Sequence, residues 1–135
     1  MARFWKAIIK CIFLILGLLV LTACGQDTEN DREAVYVNIT AQEAKQIMDT
    51  QEGYVILDVR TQEEFDQGHI PGAVLIPDTE IMDKAEDVLT DKDQLILVYC
   101  RSGRRSKLAA EDLVALGYTN IKEFGGVIDW PYELE

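Results

Sequence analysis

The sequence predicts an α/β fold built on a central, mostly parallel sheet of five strands flanked by helices. Three observations carry this expectation. Short β-prone runs alternate along the chain with helical patterns, the order that produces parallel sheets. Two of the runs, Tyr54–Leu57 and Leu95–Val98, are continuously apolar, as strands covered on both faces are. Capping and breaking residues stand at the junctions, where such elements begin and end.

The first 23 residues are expected to be an address and not part of the fold. Arg3, Lys6 and Lys10 make a basic start, and Cys11–Leu21 is an apolar run. Such a run suits the core of a signal peptide and falls short of the about 20 residues a membrane span needs. It closes on Leu21-Thr22-Ala23-Cys24-Gly25, which resembles the lipobox of bacterial lipoproteins. That resemblance implies a lipidated Cys24 as the mature N-terminus, and a protein outside the cytoplasmic membrane but tethered to it. Gly25–Ala34 is polar, charged and free of aromatics, and reads as a flexible tether within a 24–34 linker. Residues 35–135 are enough for one domain with one core.

Within that domain Tyr36-Val37 reads as a short strand. Thr40 to Glu43 is a capping-box pattern opening a helix to about Asp49. Tyr54–Leu57 is a buried strand. Thr61 to Glu64 is a second capping box, opening a short helix that stops at Gly68. Ala73–Ile76 is a strand fenced by Pro71-Gly72 and Pro77, and a weaker helix lies within Glu80–Val88. Leu95–Val98 precedes Cys100. The stripe Ala109, Leu113, Leu116 marks the next helix, which Gly117 ends. Ile121–Phe124 is the last strand, and Gly125-Gly126 is expected to break it.

The chemistry concentrates in one segment, Tyr99-Cys100-Arg101-Ser102-Gly103-Arg104-Arg105-Ser106. A thiol sits at the carboxyl end of a strand and at the mouth of a helix, where ligands of open α/β sheets bind. Backbone N–H groups, the helix dipole and the guanidinium groups all favour a thiolate there. Of the three cysteines, Cys11 would leave with the signal and Cys24 would carry lipid, so Cys100 would remain as the mature protein's one thiol. Without Arg3, Lys6 and Lys10 the chain has 10 cations against 24 acids, a charge of −14. That balance argues against nucleic acid as a partner. Against it Arg101, Arg104, Arg105 and Lys107 stand out as a cluster. A basic cluster is ordinarily a solvated face, but the adjoining strand and cysteine favour a site.

Several segments together resemble the rhodanese homology domain: Asp58-Val59-Arg60, Glu63-Glu64-Phe65, Gly68-His69-Ile70-Pro71-Gly72-Ala73, Ile76-Pro77, the cysteine loop, Gly117-Tyr118, and Gly125-Gly126 through Trp130. The resemblance runs from Val35 to about Trp130. It implies a three-layer, single-domain sulfurtransferase whose Cys100 carries a persulfide. The sulfur donor would be a small anion such as thiosulfate, and the acceptor a thiol or cyanide. A free thiol has a pKa of roughly 8.5, which cationic and helix-terminal settings lower. Arg101 and Arg105 are expected to meet the donor, with Arg104 beside them. Gly103 lets the loop curl with its amides inward, and Ser102 is placed to hydrogen-bond the persulfide. A covalent intermediate implies ping-pong kinetics.

Loop length separates this chemistry from its neighbours. Phosphatases sharing the fold carry a loop one residue longer, and unrelated tyrosine phosphatases place arginine where this chain has Ser106. The resemblance implies that Asp58 and Arg60 organise structure near the site through hydrogen bonds and an ion pair. His69, the one histidine, reads as a packed turn residue and not as a general base. One histidine and one mature thiol do not make a metal site, which usually needs three or four ligands, and no cofactor is expected. Trp130 is expected to close the core. Two other functions compete with sulfur transfer: a non-catalytic binding module, and redox or persulfide sensing by the same thiol at the cell envelope.

Overall fold

The computed structural model describes residues 35–135. The expectations for the signal sequence, the lipidated Cys24 and the tether lie outside the described residues.

The chain runs β1 (Val37–Asn38), α1 (Ala41–Thr50), β2 (Tyr54–Asp58), α2 (Gln62–Asp66), β3 (Val74–Leu75), α3 (Ile81–Val88), β4 (Leu95–Cys100), α4 (Arg104–Ala115) and β5 (Ile121–Gly126). Short 3-10 turns precede α3 and follow β5. The five strands form one sheet in the order β1-β5-β4-β2-β3, and every pairing is parallel. Both capping boxes form as the sequence predicts. Thr40 and Thr61 each accept from the N–H three residues on, while Glu43 and Glu64 accept from the threonine N–H groups.

Alternation along β4 builds two cores. Ile96, Val98 and Cys100 face α3 and α4 and pack with Leu57, Ala109 and Leu113. Leu97 and Tyr99 face the other way, toward α1, with Ala44, Ile56, Phe124 and Trp130. Helices therefore cover both faces of the sheet, the three-layer arrangement. The chain leaves β2 for β3 on one side and returns to β4 on the other. The crevice beyond the carboxyl ends of β2 and β4 is thus the switch point where such sheets bind ligands, and Cys100 ends β4 there.

Two element boundaries differ from the sequence expectation. The ladder of β3 covers Val74–Leu75 only, although the Ile76 N–H still donates to the Asp58 carbonyl at 3.0 Å. Pro77, lacking an N–H, stops it there. More consequentially, Gly125-Gly126 does not break β5 but continues it. Val98 pairs with Glu123 while Cys100 pairs with Gly126, so β5 carries an extra residue at a bulge. Gly125 has φ 91°, which supplies the left-handed step such a bulge uses.

Candidate active site

Cys100 is buried, and its Sγ accepts the Gly103 N–H at 3.0 Å. Gly103 is the N-cap of α4, with φ 97° and no side-chain cap. The first amides of a helix lack intrahelical partners, so the sulfur takes the place a capping side chain would hold. Burial pushes the thiol pKa up. Hydrogen bonds from the Ser106 side chain and from the Ser106, Gly103 and Ser102 amides outweigh it, and the thiol lies below its ordinary value. The sulfur is thus favoured as an anion by amides converging on one point.

β5 and the 3-10 turn after it hold the loop from behind. The Ile128 N–H donates to the Arg101 carbonyl at 3.2 Å, and a Cβ on Gly126 would stand 2.5 Å from Ser102 Cα. Only glycine lets the loop backbone lie this close to the strand.

The arginines divide. Arg101 and Arg104 are exposed. Arg101 lines a cavity of about 350 Å³ with Arg60, Glu64, Gln67, Gly68 and Ile128 among others. Arg105, expected to meet the donor, turns its fork to Glu64, with N···O distances of 2.8 and 2.7 Å. Glu64 is itself anchored by the Thr61 N–H. Chiefly through the Arg105 hydrogen bonds, its carboxyl is held down at about 2. The charge of Arg105 is therefore compensated, and its structural effect is to tie α4 to α2 beside the thiol. Ser102 contributes to the sulfur through its amide, and its side chain is exposed.

Asp58 and Arg60 form a buried ion pair: Arg60 Nη2 lies 2.7 Å from Asp58 Oδ2, and Arg60 also donates to the Gly68 carbonyl at 2.8 Å. The guanidinium lies over the Tyr99 ring, 5.6 Å from its centroid, and the Tyr99 hydroxyl accepts the Ile70 N–H. This group binds the Gly68–Ile70 turn to the ends of β2 and β4. His69 stacks on Phe65 and its Nδ1 lies 3.1 Å from the Phe65 carbonyl. Trp130 is buried against Phe124 in the α1-side core.

Three residues near the thiol were not expected as site residues. Glu64 was read as half of a capping box, which it also is. Ser106 closes the cysteine segment in the sequence, with no role of its own beyond standing where tyrosine phosphatases have arginine. Glu123, buried at 2% exposure, lay unremarked in the last strand. A larger cavity of about 820 Å³, lined by Lys45, Tyr54, Trp130 and Tyr132 among others, contains no residue of the cysteine loop.

A parallel α/β sheet with a thiol seated in a cradle of amides at a strand–helix junction defines a class of proteins with an anion-stabilising cysteine site. The comparisons specify the family. The Rhodanese-like domain family matches residues 40–130, and the chain belongs to it. Its relatives include the thiosulfate sulfurtransferase PspE of Escherichia coli, 38% identical over 73 residues, or 54% of this chain and 70% of PspE. A sulfurtransferase of Allochromatium vinosum is 35% identical over 64% of this chain and 79% of its own length. The crystal structure of a rhodanese-like domain protein from Staphylococcus aureus superposes with a TM-score of 0.61 at 36% identity, covering 73% of this chain and 96% of that one. Other relatives are longer: the chain spans 27% of the adenylyltransferase and sulfurtransferase UBA4 of Candida albicans.

Proposed function

We propose that the protein is a rhodanese-type sulfurtransferase that carries a sulfane sulfur on Cys100. The observation that carries this reading is the sulfur's position, with the Gly103 N–H donated to Sγ at 3.0 Å at the uncapped start of α4. The names of the relatives support the activity class.

In the first half-reaction the Cys100 thiolate attacks the outer sulfur of an anionic donor, for which thiosulfate is the proposed example. A new S–S bond forms, the donor's S–S bond breaks, and sulfite leaves with the electron pair. The persulfide anion would rest on the loop amides as an oxyanion rests in its hole. In the second half a thiolate or cyanide attacks the terminal sulfur, and Cys100 leaves as thiolate. Exposed Arg101, with Arg104 near it, is the proposed contact for the donor's negative oxygens, while Arg105 holds the loop through Glu64. The proposed setting is the cell envelope, with Cys24 lipidated and the domain anchored to the membrane. Export of a form that a lipid label marks, and that Cys24→Ala leaves unmarked, tests that part.

Intact mass before and after thiosulfate tests the chemistry. The expected result is a gain of about 32 Da, one persulfide sulfur, removed by cyanide and absent in Cys100→Ser. A reduced, alkylatable Cys100 that gains no mass from thiosulfate or from a small persulfide overturns the reading.

A further inference from the structure

The cavity beside the cysteine loop is larger and less polar than the proposed donor needs. It holds about 350 Å³, within the about 300–1,000 Å³ of small-molecule sites, and a small anion such as thiosulfate leaves most of that space unfilled. One wall is apolar and consists of Val127, Ile128 and Leu134. Ile128 is 63% exposed and Leu134 45%, so both keep apolar surface in water without closing a core. That surface is held in place. The Ile128 N–H donates to the Arg101 carbonyl at 3.2 Å, and the His69 and Glu135 backbones exchange two hydrogen bonds of 2.9 Å each. The Gly72 N–H adds a third, to Glu135 Oε1 at 2.9 Å. Leu134, next to Glu135, lies against Gly68, where an added Cβ would stand 3.7 Å from Leu134 Cδ1.

The charge of the cavity comes down to one residue. Arg60 is paired with Asp58, and Glu64 with Arg105. Glu123, the buried acid under the loop, is occupied by the Ser106 hydroxyl at 2.6 Å and the Gly125 N–H at 2.9 Å, both on Oε1. Among the described residues no carboxylate pairs with Arg101. Its charge is open, and it follows Cys100 directly in the chain. A ligand's anionic group held by Arg101 is anchored at the loop, and Ile128, bonded to the Arg101 backbone, starts the apolar wall beside it.

We infer that this cavity is an acceptor site for organic thiols that carry a carboxylate beside the sulfur and an apolar chain, with Arg101 taking the carboxylate and Ile128 and Leu134 the chain. A carboxylate on the carbon that bears the thiol matches a cation and a cysteine on adjacent residues. The inference rests on the sulfur-transfer reading for its chemistry. Covalent transfer in two halves lets one cavity serve both reactants in turn, since sulfite leaves before the acceptor enters. The acceptor gives its thiol proton to solvent, and its thiolate attacks the outer sulfur of the Cys100 persulfide. A new S–S bond forms and the persulfide's own S–S bond breaks. Cys100 takes the electron pair as thiolate, and the acceptor departs as a persulfide. Cyanide has no chain and uses none of the wall. Ile128 and Leu134 are then the residues that choose among acceptors.

The test compares 2-mercaptopropanoate with 2-mercaptohexanoate as acceptors of sulfur from thiosulfate. Both are secondary thiols beside a carboxylate, so their intrinsic reactivity is matched, and they differ by three methylenes. A fully buried methylene is worth about fourfold in binding. On a half-exposed wall about twofold is expected, which makes kcat/KM about eightfold higher for the longer thiol. In the double variant Ile128→Ser, Leu134→Ser the two acceptors should come within twofold of each other, and this ratio does not depend on how much of the variant is folded. Acceptors already within twofold in wild type, or a preference that survives in the double variant, overturn the proposal. The unreactive 2-hydroxyhexanoate separates the site from the chemistry. It should slow iodoacetamide alkylation of Cys100 at a concentration about eightfold lower than 2-hydroxypropanoate requires, and lose that advantage in the double variant. Equal protection by the two hydroxy acids in wild type overturns the proposal. Selective protection in a protein that gains no mass from thiosulfate would instead overturn the sulfur-transfer reading and leave the cavity's ligand class standing.

Discussion

Gly126→Ala should disable the site while leaving the fold standing. The added Cβ would lie 2.5 Å from both the Arg101 carbonyl carbon and Ser102 Cα, where ordinary contact begins at 3.4 Å. The loop must retreat by roughly 0.9 Å, and by more at the Arg101 carbonyl oxygen, which is nearer still. It cannot do so without moving amides that meet the sulfur, because Ser102 and Gly103 follow directly. Misplacement of about 1 Å costs on the order of 100-fold in rate, while overpacking of this kind costs about 1–3 kcal/mol in stability. Steady-state transfer from thiosulfate to cyanide should therefore show kcat/KM reduced about 100-fold, with urea unfolding still cooperative. The thiol pKa should rise toward its ordinary value as the amides lose alignment. Gly53→Ala is the control: it has the left-handed φ of 75° but nothing within 4 Å of the added Cβ. It should lose a little stability and no activity. A Gly126→Ala protein with kcat/KM within twofold of wild type would refute the view that this close approach sets the cradle.

Three further outcomes follow from the charged residues. Glu64 has its carboxyl lowered from 4.5 to about 2, so its pairing stabilises the fold above pH 4.5 and that contribution is lost as pH falls toward 2. Glu64→Gln should lie below wild type at neutral pH by on the order of 1 kcal/mol after solvent screening, and urea midpoints for the two should converge in acid. Arg60→Met strands Asp58 as a buried charge and should cost about 3–5 kcal/mol in urea unfolding; a loss under 1 kcal/mol would contradict the buried pairing. Arg101→Gln should raise KM for thiosulfate several-fold with kcat little changed, and an unchanged KM would remove Arg101 as the donor contact.

What the sequence showed and what it hid divide along the range of the interaction. Thr40 to Glu43 and Thr61 to Glu64 close over three residues, so both helix starts could be read directly. Continuous apolar runs marked β2 and β4 because their burial on both faces is a property of the run itself. Arg105 and Glu64 are separated by 41 positions, and no local pattern couples them. The bulge at Gly125-Gly126 is fixed by the partner strand, so a glycine pair that looked like a stop is a bend in a continuing strand. Glu123 did leave a signal. It sits two residues from Ile121 on the inward face of β5, a charge at a core position of a period-two pattern.

The positive character of this site comes more from backbone than from side chains. Arg105 is balanced by Glu64, and Glu123 places a carboxylate under the loop, so the nearest full charges largely offset one another. What remains at the sulfur is the set of loop amides and the dipole of α4, which supply partial positive charge without a counterion and hold a fixed geometry. In a chain carrying 24 acids against 13 cations, a cationic pocket would have to be kept from neighbouring carboxylates, whereas amides converging on 1%-exposed Cys100 cannot be neutralised by rotation of a side chain. The same geometry would suit the proposed persulfide as well as the thiolate, since both present an anionic sulfur near one point. A displaced backbone should therefore harm this site more than the loss of any one arginine, which makes Gly126→Ala the more damaging change beside Arg101→Gln.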